Sequence, residues 1–396
     1  MKINLLLAFL ILTLTLQAQE WTNSVGLPSN APARHHAVTF SIDGFGYLLT
    51  GGSESGMLND FYKFDPTTEQ WETLTPFPGP RRGFAYGVAH EGKGYIGFGF
   101  DGVNPLNDIW EYDPTTNEWK ELAPCTCPGR FHPAFIANNG KIFIGLGNNF
   151  DQGNLRDWWE FDIKDNVWTE MPDYPGQRRH HPYHFSIGDY VYVAFGHGNF
   201  AIYNDLFRFD PATDTWDEMA SLPGEGRVAG TQFDFNGKGY ALSGQGDDHF
   251  YLDEGEFWEY DPVTDSWASL PSHPGPGRWA PANFIIDGIL YMMSGENING
   301  QNTKDMMKFD LNALISSNKD IPVTNIQVFP NPVEDFLQFE IEESIENITI
   351  YNVNGQIVFE EDKPDSKVIL TNIPTGVYSV ILQGKDQLYQ SKFVKQ

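Results

Sequence analysis

Residues Asn107 to Leu122 read N-D-I-W-E-Y-D-P-T-T-N-E-W-K-E-L and contain a complete hairpin. Ile109 and Glu111 alternate with Trp110 and Tyr112, the period of a strand. Asp113-Pro114-Thr115-Thr116 then supplies a type I turn, because Asp bonds the backbone that follows it and Pro presets φ. Trp119 opens the returning strand. The same hairpin recurs as N-D-F-Y-K-F-D-P-T-T-E-Q-W ending at Trp71, D-W-W-E-F-D-I-K-D-N-V-W at Trp168, N-D-L-F-R-F-D-P-A-T-D-T-W at Trp216 and E-F-W-E-Y-D-P-V-T-D-S-W at Trp267. Successive Trp are 48 to 51 residues apart, the period of a four-stranded propeller blade.

Outward from the hairpin, each period keeps one order: an Arg, a strand, a short turn, a strand ending in Gly, a longer loop, then the hairpin. The Arg are Arg34, Arg82, Arg130, Arg179, Arg227 and Arg278. The first turns are Asp43-Gly44, Glu91-Gly92, Asn139-Gly140, Gly188-Asp189, Asn236-Gly237 and Asp287-Gly288, residue pairs suited to two-residue hairpins. The sixth period has Arg278, a strand into Gly295 and D-M-M-K-F-D ending at Asp310, and then lacks its Trp strand. A lone Glu20-Trp21-Thr22-Asn23 stands at the other end. Lending it to the sixth blade covers two open sheet edges, so an all-β, six-bladed propeller closed by an N-terminal strand is expected over residues 20–313.

This register of Arg, Tyr-containing strand into Gly51-Gly52, Tyr/Phe-Asp-Pro turn and Trp resembles the kelch-repeat family, in six copies from residue 20 to about 313. Only Gly51-Gly52 is a true diglycine; later periods keep one Gly, such as Gly196, Gly244 and Gly295, or Gly-x-Gly.

Strand alternation assigns the loops to two faces. The first-hairpin and D-P-T-T turns are short and uniform and share one face. The loops after the second strand share the other: Ser53 to Asn59, Asp101 to Asn107, Asn148 to Arg156, His197 to Asn204, Gln245 to Glu256 and Glu296 to Lys304. Variable loops on a rigid scaffold are where binding residues reside. The six Arg, at the starts of the innermost strands, are expected to ring the channel mouth on that face and to bind a ligand, since a guanidinium grips a carboxylate with two parallel bonds. Phe131 and Trp279 each follow an Arg and offer an aromatic platform, although alternation points them away from the Arg side.

Two positions after the Arg come His36, Phe84, His132, His181, Ala229 and Ala280. His36, His132 and His181 join the expected ligand-binding set. Imidazoles also suit zinc or copper, but whole-blade separations give no ligand-spacing signature, so hydrogen bonding between blades or lining a wet channel is the expectation, with no metal and no cofactor. The acidic loop containing Asp247, Asp248, Asp253, Glu254 and Glu256 lacks the ordered spacing of a calcium loop and reads as solvated. Cys125 and Cys127, the only two Cys, leave a tight bridge, free thiols or a metal contribution open.

The ends of the chain carry addresses. Lys2, the apolar or hydroxylated run Ile3 to Leu16 and Gln17-Ala18-Gln19 have the order of a secretory signal, expected at 1–19. That run is too short to span a bilayer, and no later run is long enough. A net charge of -28 argues against nucleic acid and anionic membranes. A linker is expected at 314–325. From 326 to 396, alternating strands broken at Asn354-Gly355 and Thr375-Gly376 indicate a small β-sandwich. Pro330-Asn331-Pro332, Tyr351 with Asn354-Gly355, Leu370 with Ile373-Pro374, Gly376-Val377-Tyr378 and Lys392-Phe393-Val394-Lys395 resemble the type A C-terminal sorting domain of the type IX secretion system of Bacteroidota. That resemblance implies the secretion machinery as a partner and a secreted or outer cell-surface location.

No catalytic constellation stands out: the chain has no Gly-x-Ser-x-Gly elbow, His-Glu-x-x-His or phosphate loop. The leading expectation is a monomeric binding propeller whose loop-rich face recognises a glycan or other anionic or hydroxyl-rich ligand, or a protein. The alternatives are a carbohydrate enzyme resembling mutarotase or oxidase kelch proteins, the latter needing copper and a Cys–Tyr cross-link, and a purely structural or adhesive protein.

Overall fold

The computed structural model describes residues 20–317, 323–341, 343–352, 357–384 and 387–396. The expected signal at 1–19, residues 318–322 of the expected linker and the Asn354-Gly355 turn lie outside them. The chain divides into two compact units between Ala313 and Leu314.

The first unit holds six four-stranded antiparallel sheets. Their innermost strands are Val38–Ile42, Tyr86–His90, Ala134–Asn138, Tyr183–Ile187, Thr231–Phe235 and Ala282–Ile286. Each lies beside the next, and Ala282–Ile286 lies beside Val38–Ile42, so they form a ring. Thr22–Ser24 pairs antiparallel with Met306–Asp310 and supplies the outermost strand of the sixth sheet. Trp21 therefore sits where the other repeats have theirs. Its ring centroid is 5.1 Å from Phe309, against 5.0 Å for Trp71 and Phe64 and 4.9 Å for Trp216 and Phe209.

The core lies between sheets rather than within any one of them. Val38, Phe40 and Leu49 of the first repeat pack with Ile96 and Tyr112 of the second. Each such buried side chain contributes about 1.5–3 kcal/mol. Local chemistry sets the turns. Asp43 and Gly44 adopt φ 51° and 78°, the type I′ geometry that matches strand twist. Asp113 Oδ1 accepts the Thr115 N–H at 2.9 Å, as the D-P-T-T motif requires.

The Gly that ends each second strand is retained for a steric reason. Gly51, Gly99, Gly147, Gly196, Gly244 and Gly295 have φ between 88° and 114°, and a Cβ on Gly147 would come within 2.9 Å of the Phe131 carbonyl oxygen. The next position carries no such demand: Gly52 is replaced by Phe100, Asn148, His197, Gln245 and Glu296 in the later repeats.

The second unit pairs a five-stranded sheet with a three-stranded one around Val333, Leu337, Ile348, Ile350, Val380 and Leu382, all fully buried. Asn331 accepts the Val394 N–H at 3.0 Å and donates to the Lys392 carbonyl at 3.2 Å, which joins two of the sorting-domain motifs separated in sequence.

Candidate functional site

The six Arg do not open onto the mouth. Arg34, Arg82, Arg130 and Arg179 are 0% exposed and Arg227 is 4%. Each reaches a carboxylate at the start of the third strand of its own repeat. Arg82 Nη1 and Nη2 donate to Asp108 at 2.8 and 2.5 Å; Arg34 holds Asp60, Arg130 holds Asp157 and Arg278 holds Asp305 in the same two-pronged way. Arg179 pairs with Asp205 and Arg227 with Glu256.

The Arg backbone faces the other way. The Arg82 N–H donates to Leu58 O and its carbonyl accepts from the Gly51 N–H, both at 2.9 Å and both in the preceding repeat. Arg34 makes the corresponding bonds to Thr303 and Gly295. Each Arg thus fastens two neighbouring repeats with its guanidinium already neutralised. The expectation that these six side chains present themselves to a ligand is corrected by that geometry, and the neutralising acids belong to the same repeat. The missed signal is an acidic residue 26 to 29 positions after every Arg, often within Asn-Asp.

The positions that follow the Arg do face the mouth. His35, Phe131, His180 and Trp279 are half-buried, and each residue one past the Arg bridges the variable residue after the second-strand Gly: His35 with Gly52, Phe131 with Asn148, His180 with His197, Trp279 with Glu296. Phe131 and Trp279 form part of the aromatic wall of the mouth. Trp279 lies edge-on to His36 at 4.5 Å, and Phe131 packs with Phe100 and Phe150.

One step further in, the six residues two past the Arg all have left-handed backbone, φ 48° to 60°. They precede the strands, so strand alternation does not apply to them. Left-handed geometry aims the His181 N–H at the His132 carbonyl (3.1 Å) and the His132 N–H at Phe84 (2.9 Å), joining repeats around the axis. The side chains of His36, His132 and His181 come together there, each 5–6% exposed, with donor atoms within 4.8 Å of one another. Burial, reinforced by the other imidazoles, pushes all three well below the ordinary His range, so they are neutral. Beneath them a channel of about 410 Å³, which His36 borders, is lined by polar groups including Thr39, Ser41, Gln232 and Asn283.

The outermost loops expose apolar side chains among polar ones. Near the tip of the loop after the second strand, five of six repeats expose a large hydrophobic side chain: Val103 73%, Phe150 61%, Phe200 98%, Phe250 71% and Ile298 56%. Cys125 and Cys127, by contrast, are bonded to each other inside the core. Bonded to each other, neither is free for the cross-link to Tyr that the oxidase-like alternative needs.

This is the architecture of a repeat propeller with a separate small β-domain, and comparison with known proteins agrees. The KLHDC2/KLHL20/DRC7 Kelch-repeats domain matches residues 8–147, and the secretion system C-terminal sorting domain matches residues 327–396. The solved structure titled "Structure of YjhT" matches with a TM-score of 0.60 at 17% identity, covering 71% of this chain and 95% of that one; at that identity the likeness concerns the fold. A search of curated protein sequences finds no match. The chain is a kelch-repeat propeller protein with a type IX secretion sorting domain, which directs it to the cell surface or the medium through the secretion machinery. Among the described residues no helix is long and apolar enough to cross a membrane.

Proposed function

We propose that the exported protein is a binding propeller whose loop-rich face recognises a neutral, hydroxyl-rich glycan. The observation that carries this reading is the apolar rim. Leaving Phe150, Phe200 and Phe250 in water forgoes about 1.5–3 kcal/mol for each, and their placement at corresponding loop tips of one face suits a surface that a partner covers. The neighbours are amides and carboxylates: Asn148, Asn149, Asp151 and Gln152 around Phe150, Asn199 beside Phe200, Asp247 and Asp248 before Phe250. Aromatic faces against sugar C–H groups, with side-chain donors and acceptors for hydroxyls, suit a glycan. The anionic option is weakened because all six Arg are paired internally and the chain carries -28. The test is titration calorimetry of the mature chain against neutral oligosaccharides, beside a Phe150→Ala, Phe200→Ala, Phe250→Ala triple variant. Loss of binding with melting unchanged within a few degrees supports the reading. Equal binding by the triple variant, or no saccharide bound by either protein, defeats it.

A further inference from the structure

We propose that His36, His132 and His181 form a binding site for one divalent transition metal ion of the zinc and copper class, on the propeller axis at the floor of the loop-rich face. The site is independent of the apolar rim and of what the rim binds.

The donor geometry suits such an ion. Zinc takes imidazole nitrogens at 2.0–2.1 Å, so tetrahedral ligation needs those nitrogens about 3.3–3.4 Å apart. In the cluster, His36 Nε2 lies 2.7 Å from His181 Nε2, and donor atoms of all three residues lie within 4.8 Å of one another. The required spacing falls between these values and is reached by small ring rotations. Three neutral imidazoles leave a fourth position for water or an outside ligand, the arrangement of an open zinc site, and the same nitrogens suit copper.

Hydrogen bonding within the protein accounts for only part of the cluster: His36 pairs with His35 and with His181, and His132 is left over. Both ring nitrogens of His132 are buried without a hydrogen-bond partner among the described residues, and a buried polar group left unpaired costs about 1–3 kcal/mol. Apolar packing would not call for three polar rings at this point, since Phe84, Ala229 and Ala280 fill the same position in the other repeats.

The surroundings supply orientation and access. His35 Nδ1 lies 2.7 Å from His36 Nδ1 and can fix that ring's orientation, the role outer-shell partners play at metal sites. Phe84 and Trp279 pack edge-on to His36 and wall it. A line of imidazoles leads inward from the exposed His249 through His197 and His180 to His181, with successive centroids 4.3, 5.0 and 5.3 Å apart. Asp151, Asp247 and Asp248 on the rim loops are exposed and favour cation approach.

The test uses the mature, chelator-stripped chain. Calorimetry with Zn²⁺ and elemental analysis after desalting measure stoichiometry, and Cu²⁺ electron paramagnetic resonance reads nitrogen ligation. About one retained equivalent with multiple nitrogen couplings is expected, lost in His132→Ala and in His181→Ala. Ala already occupies this backbone conformation at Ala229 and Ala280, and His132→Phe, which copies Phe84, provides a second folded control. The proposal is overturned if the wild type retains no metal after desalting. It is equally overturned if retention survives both Ala variants, or disappears only in His249→Ala, which would place the ion at the rim.

Discussion

Two rings of six residues stand two positions apart in the chain and follow opposite rules. The Arg ring is the same in every repeat, fully buried in five of six positions or nearly so, and paired with a carboxylate of its own repeat. The ring two residues on shares one backbone conformation but carries three His, one Phe and two Ala. Constancy with internal satisfaction marks scaffold; variation on a fixed backbone marks the place where this chain differs from its own repeats. The same contrast holds between the two Gly positions, where the first is sterically demanded and the second carries Phe100, Asn148, His197, Gln245 and Glu296.

The largest effect should come from breaking the scaffold ring. Asp108→Ala leaves the Arg82 guanidinium, 0% exposed, without its counter-charge. Removing one partner of a buried pair costs about 3–5 kcal/mol, and urea denaturation of the variant should show a loss in that range. A loss below about 1 kcal/mol, the value of a surface pair, would mean that constancy does not mark scaffold here.

Trp21→Ala tests the scaffold where it joins its own end. Trp21 packs on Phe309 and Phe257, and its Nε1 donates to Pro271 O at 2.9 Å. Truncating a large aromatic at such a contact costs about 3 kcal/mol. A change within about 0.5 kcal/mol, typical of surface sites, would show that the N-terminal strand is dispensable.

Much of the scaffold was legible in the sequence because repetition itself is a signal: the Trp period, the Asp-Pro turns and the Asx-Gly hairpins each follow from local backbone chemistry. Trp21 was readable as a missing piece by counting. The site was less legible. Arg82 and Asp108 are joined across 26 residues, and nothing local says whether a guanidinium meets an inner carboxylate or an outside ligand. His132 and His181 lie in different repeats, and their convergence depends on left-handed backbone just before the strand, where alternation no longer predicts direction. The exposed Phe at the loop tips carry no sequence signal, because loop lengths differ and no fixed spacing aligns them.

The smallest effect separates the two chemistries by pH. On the Arg side, burial alone would raise Asp157, but its bonds to Arg130 outweigh this and hold it below the usual carboxylate value, so its stabilisation is lost only as the pH falls through and below the ordinary carboxylate range. Buried imidazoles behave differently. Outside the axial cluster, burial takes His184 and His273 down to about 4, whereas in the unfolded chain both titrate near 6.5. The unfolded state therefore binds more protons as pH falls below about 6.5, and stability declines with it until the folded groups protonate near 4. Between pH 7 and pH 5 the expected loss is about 1–2 kcal/mol for each His, read from urea midpoints at the two values. His184→Phe should remove its share of that slope while leaving any loss on Asp108→Ala unchanged. A pH-independent midpoint between 5 and 7 would mean that the imidazoles are open to solvent, and would remove the physical distinction between the buried His and the Arg ring.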